Sequence, residues 1–64
     1  MYIIEWRFHG DKEYYRKTTK HGDTLITSNR KTAQRFETEA LAQLQLEAIR
    51  MILTDPSTLK LTKV

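Results

Sequence analysis

Residues 2–8, YIIEWRF, alternate cleanly: Tyr2, Ile4, Trp6 and Phe8 fall on one side, Ile3, Glu5, Arg7 and then His9 on the other. A period of two with a heavy aromatic set is the pattern of a half-buried strand. Residues 13–20, EYYRKTTK, predict a second strand of undetermined phase, because Tyr14 and Tyr15 are adjacent and one must face outward. The triplet HGD occurs at 9–11 and again at 21–23. Each glycine can take positive φ in a tight turn. TLITS after the second triplet predicts a short third strand, so the two turns join a three-stranded meander. Residues 29–35, NRKTAQR, are polar and predict one helical turn capped by Ser28 or Asn29.

The period then lengthens. Thr38 is a good N-cap, Glu39 suits the positive end of the helix dipole, and Phe36 can pack back on the first turn. LAQLQLEAIRMIL, residues 41–53, continues as the main helix. Its expected end is Thr54 or Asp55, because Pro56 disfavours helical geometry in the residue before it. TLKLTKV predicts a last strand with Leu59 and Leu61 on one face and Lys60, Thr62 and Val64 on the other. The expected fold is α+β: an antiparallel sheet of three to four strands in the order β-β-β-α-β, with one long helix packed on one face. The last strand is expected to return beside the first, and residues 1–64 to form one domain.

That helix carries more apolar surface than one sheet needs. At about 100° per residue, Ala40, Leu41, Leu44, Ala48, Met51 and Ile52 fill one arc, the one expected to lie on the sheet. Ala42, Leu46, Ile49 and Leu53 fill a second arc beyond Gln45. Glu39, Gln43, Glu47, Arg50 and Thr54 make the polar stripe. Leaving Leu46, Ile49 and Leu53 in water would forgo about 1.5–3 kcal/mol apiece. Two solutions stay open. Residues 25–36, with Leu25, Ile26, Ala33 and Phe36, could fold over the second seam and complete the core. Alternatively Ala42, Leu46, Ile49 and Leu53 form a partner-binding surface for a second copy or a foreign protein.

Composition narrows the function classes. The chain has 64 residues and no cysteine, so neither a disulfide framework nor a thiolate metal site is expected. No apolar run is long enough to span a membrane, and the N-terminal residues do not read as a signal peptide. The expected setting is cytoplasmic. In a meander, His9 and His21 would lie at opposite ends of the sheet, roughly 20 Å apart, too far to share a metal or substrate. No nucleophile stands beside either, and both glycines belong to turns. No catalytic residue, cofactor or metal is therefore expected, and the chain reads as non-enzymatic.

The net charge is +3, a mild tilt toward anionic partners. The outer face of the sheet is expected to carry Arg7 and Lys60, one of Arg16 or Lys17, and one of the adjacent tyrosines. Cations beside an exposed ring can hold nucleic acid, phosphate against charge and base against ring. Arg7, Arg16, Lys17 and Lys60 are the candidate nucleic-acid contacts.

Two patterns add resemblances. AQRFETEALAQLQ, residues 33–45, resembles a pattern of very small phage and prophage proteins, with Arg-Phe ending a short turn before an acidic-Thr helix start. The element order is similar to that of small podophage inhibitors of host RNA polymerase, which implies docking on a host protein in the host cytoplasm. IEWRFHGDKEYYRKTTK followed by FETEALAQLQLEAI also resembles the N-terminal DNA-binding domain of tyrosine recombinases. There a three-stranded sheet reads DNA and a helix opens on Phe-x-Thr-x-x-Ala. Here Phe36, Thr38 and Ala40 depart from that spacing by one residue, and residues 20–35 would be an insertion. The leading expectation is a non-catalytic protein that binds and modulates a host protein through the second helix seam. The alternative is a nucleic-acid-binding module using the open sheet face.

Overall fold

A computed structural model describes residues 1–8, 10–53 and 58–64. The expectations placed on the Phe8 side chain, on His9, and on Thr54, Asp55 and Pro56 as the helix stop lie outside the described residues. The fold is α+β, as the pattern predicts. Its elements are β1 (Tyr2–Phe8), β2 (Asp11–Thr18), β3 (Thr24–Thr27), a 3-10 turn η1 (Arg30–Thr32), α1 (Glu39–Ile52) and β4 (Thr58–Lys63). All pairings are antiparallel and the strand order is β3-β2-β1-β4. The last strand thus does return beside the first, with Ile4 opposite Leu61 and Trp6 opposite Leu59.

The local signals read from the sequence hold. Gly10 and Gly22 both sit at positive φ, 85° and 88°, where a Cβ would strain the turn. The Asn29 carboxamide oxygen accepts from the Lys31 amide and caps η1. Thr38 accepts from the Leu41 amide at 3.2 Å and starts α1, with Glu39 in the first turn.

Where the helix rests reverses the expected seams. Ala42, Leu46 and Ile49 are buried, and they join Ile4, Trp6 and Tyr15, with Leu53, Phe36, Leu59 and Leu61 packed around them. The arc expected to lie on the sheet is the one in solvent: Leu41, Leu44, Met51 and Ile52 are 51, 70, 86 and 60% exposed. The two arcs adjoin, so hydrophobicity alone does not fix the helix's rotation. Its anchor does. Phe36, two residues before the cap, is held by paired backbone hydrogen bonds with Tyr2, 2.8 and 2.9 Å long. That entry point turns the Ala42 arc toward β1 and β4, the strands over which α1 packs.

The same anchor splits the sheet. Pairing of β1 with β2 is regular from Phe8–Asp11 to Glu5–Tyr14. Beyond it, β2 carries a bulge between Tyr15 and Lys17, and residues 34–36 occupy the space between the two strands. Gln34 donates its amide to the Tyr15 carbonyl on one side, and Phe36 pairs with Tyr2 on the other. Ala33, just before, packs with Ile3 and Tyr14 on the face opposite the helix. Phe36, just after, stacks on Tyr15 beneath the helix, ring centroids 6.2 Å apart. The chain therefore passes through its own sheet from one face to the other. Of residues 25–36, expected to fold over the second helix seam, Phe36 does pack against that seam, whereas Ala33 and η1 cover the far side of the sheet.

Candidate nucleic-acid interface

Strand register sorts the side chains of the sheet. Cross-strand partners share a face, so Glu5, Arg7, Lys12, Tyr14, Lys60 and Thr62 lie together on the side without the helix. Lys17 joins them through its pairing with Leu25, which shares the parity of Thr27 opposite Tyr14. Arg16 is the extra residue of the bulge, so Arg16 and Lys17 together oppose Leu25. Of the four candidate cations, with Arg16 and Lys17 as alternatives for this face, Arg7, Lys17 and Lys60 are brought onto it, and Arg16 stands exposed at its bulged margin.

The structure adds cations that the strand pattern did not reveal. Lys12 stands opposite Arg7. The covering segment contributes Arg30 and Lys31, both exposed. Arg30, Lys31 and Arg35, together with Asn29 and Val64, line an open groove of about 530 Å³. A register extrapolated from a tight turn at Gly10 would have found Lys12. The η1 cations had no local signal, because their position depends on the chain crossing the sheet.

Glu5 organises the centre of this face. It is 5% exposed, and among the described residues it is the one acid that register puts here. Arg7 donates its Nε–H to Oε1 at 2.7 Å, the Lys12 ammonium lies 3.6 Å from the same oxygen, and the Thr62 hydroxyl donates to Oε2 at 3.2 Å. The Arg7 hydrogen bond holds the carboxyl below its ordinary value, against the opposing effect of burial and with further help from Thr62 and Lys12. A buried anion with two hydrogen-bond donors and a nearby ammonium fixes the positions of the charges around it. The Arg7 and Lys12 side chains remain about half exposed, so one carboxylate orders two cations without hiding them.

Charge is unevenly distributed across the sheet. Asp11 and Glu13 point to the helix side by register, with Glu39 and Glu47 on the helix itself, and the cations there include Lys63 and Arg50. The helix-free side holds Arg7, Lys12, Lys17 and Lys60, overlaid by Arg30 and Lys31.

One part of the expected interface is overturned. Neither tyrosine offers an exposed ring. Tyr14 is 9% exposed beneath Ala33, and Tyr15 is 4% exposed beneath the helix. The adjacent pair is resolved by burying one ring on each face, which requires the chain crossing that supplies the second cover. Base stacking on this face is therefore not available from β2.

The partner-binding surface expected at Ala42, Leu46, Ile49 and Leu53 is also corrected. The first, second and third are 0, 3 and 1% exposed and Leu53 is partly buried, all packed on this chain's own sheet. Those side chains are core. Among the described residues, no group of three His, Cys, Asp or Glu side chains is placed to hold a metal, and no helix is long and apolar enough to cross a membrane. Compared with protein-family models, curated proteins and solved structures, the chain matches none, so the phage-protein and recombinase likenesses remain patterns of sequence.

Proposed function

We propose that this domain is a non-catalytic nucleic-acid-binding module that holds the phosphate backbone against the helix-free face of its sheet. The observation that carries the reading is the gathering of cations on one face that holds a single acid by register. Arg7, Lys12, Lys17, Lys60, Arg30 and Lys31 lie on one side, with Arg7 and Lys12 fixed by the buried Glu5 carboxylate. A polyanion is attracted to such a face and releases its counterions on binding. With Tyr14 and Tyr15 buried, contact is to phosphate and not to base, so binding is broad in sequence. The groove beside Arg30, Lys31 and Arg35 extends the same positive track toward the end of β4.

Docking on a host protein through Ala42, Leu46, Ile49 and Leu53 is not part of this proposal, since those side chains fill the core.

The test is titration of labelled single- and double-stranded DNA and RNA at several salt concentrations. If about five phosphates of a duplex DNA are contacted, log K should fall against log salt with a slope of about −4.5. Lys12→Glu with Lys60→Glu should abolish binding at physiological salt, whereas Lys63→Glu, on the helix side by register, should leave most of it. Absence of binding to every probe at low salt, or equal loss from both charge reversals, defeats the reading.

A further inference from the structure

The exposed arc of α1 is an unpartnered apolar strip with an unusual symmetry. Leu41, Leu44, Ala48 and Met51 stand at spacings of three, four and three, and all are exposed. This is a two-heptad seam, and its spacing reads the same from either end. An identical helix laid antiparallel about a two-fold axis puts Leu41 opposite Met51 and Leu44 opposite Ala48, twice each. Large faces long at the ends, and large faces small near the axis. An isologous contact of this kind needs a self-complementary patch, and the strip is one.

Charge permits the approach. Glu47 is the charged residue of the polar stripe nearest to the strip, and its carboxylate is already engaged in its own helix. Arg50 donates to it at 3.2 Å and Gln43 at 2.7 Å. The other flank carries Gln45 and Ile52, which bring no charge. Antiparallel alignment also sets the two helix dipoles in opposition, which is favourable.

The area is sufficient for a weak pair. A specific interface takes about a tenth of a small protein's surface, and this chain exposes 4625 Å². The four side chains of the strip and the adjoining Ile52, at on the order of 100 Å² each, supply that share. Two copies together hide about 1,000 Å², the lower bound for a specific contact, so the association depends on concentration.

We infer that the occupant of this strip is a second copy of the chain, forming a two-fold dimer through antiparallel α1 helices. The dimer leaves both cationic sheet faces outward, because each lies across its own sheet from the helix. The inference stands on the strip alone and does not require the nucleic-acid reading.

Light scattering from micromolar to millimolar protein tests it. The expected mass rises from 7.6 kDa toward twice that value, and Leu44→Glu with Met51→Glu should hold it at the monomer value with an unchanged circular-dichroism spectrum. The chain has no cysteine, so orientation can be read by cross-linking. Mixing Leu44→Cys protein with Ala48→Cys protein under mild oxidation should give a mixed disulfide dimer well above either variant alone. A monomer mass throughout overturns the inference. So does preferential cross-linking of a Met51→Cys variant to itself, which would report parallel helices.

Discussion

The two faces of this sheet are buried by different means. The helix side is closed by a regular amphipathic element, with Ala42, Leu46 and Ile49 meeting Ile4, Trp6 and Tyr15. The other side is closed at one end by a short irregular crossing, with Ala33 over Ile3 and Tyr14. It is otherwise left to polar groups gathered on Glu5. The helix side has apolar area to spare and a polar rim of mixed charge. The far side has little apolar area, and one ion cluster fixes its register. Hydrophobic cohesion thus sits mainly under the helix, and the buried ion cluster sits across the sheet.

The largest effect expected from breaking this arrangement is in the helix seam. Leu46→Ser with Ile49→Ser removes two fully packed side chains and buries two hydroxyls, each change costing about 2–5 kcal/mol. Total stability for a domain of this size lies near the low end of about 5–15 kcal/mol, so the double variant should be unfolded by circular dichroism at room temperature. If it stays folded, the seam is not core and the assignment of the two arcs is wrong.

An intermediate effect is expected at Glu5. Glu5→Gln should lower stability near neutral pH by about 1–2 kcal/mol, at the low end for a charged hydrogen-bond network because Arg7 and Lys12 are half exposed. The sign with pH follows from the depressed carboxyl. A group held lower in the folded state than its ordinary value of 4.5 contributes fully above that value, and its contribution disappears as pH falls through the folded-state pKa. Urea titrations of both proteins from neutral to acid pH should therefore converge. A gap that stays constant into strong acid would show that the carboxylate is not the source.

The smallest effect belongs to the exposed strip. Leu44→Ser, at a side chain 70% exposed, should change the stability of dilute protein by no more than about 0.5 kcal/mol. Set beside the Leu46 and Ile49 change two and five residues on, it sharpens the contrast between the two arcs of one helix. A loss above about 2 kcal/mol in dilute solution would mean that the strip is covered within the monomer.

Much of the fold was legible because it is written locally. Thr38 and Asn29 as caps, Gly10 and Gly22 in turns, and the alternation of residues 2–7 each report on a few neighbouring residues, and each holds. The excess of apolar arc on the helix was also legible, but not its direction. Choosing between adjoining arcs needs the entry angle set by Phe36, and that angle comes from Tyr2, far away in sequence. The candidate surface divides the same way. Arg7 and Lys60 follow from strand parity, Lys17 reaches the face only through the bulge after Tyr15, and Arg30 and Lys31 depend on where residues 34–36 cross. Glu5 reads in sequence as an outward polar residue; cross-strand neighbours that a single strand cannot show make it buried.

The passage of residues 34–36 between β1 and β2 has a consequence for how the molecule is made and unmade. A hairpin of the first eighteen residues can close only at its Gly10 end, since its open end is completed by a segment about twenty positions later. Non-local closure of this kind slows folding relative to a simple hairpin plus helix. It also interlocks the two halves of the chain, so a cut between Thr27 and Arg30 would leave fragments that hold together only while the wedge stays seated.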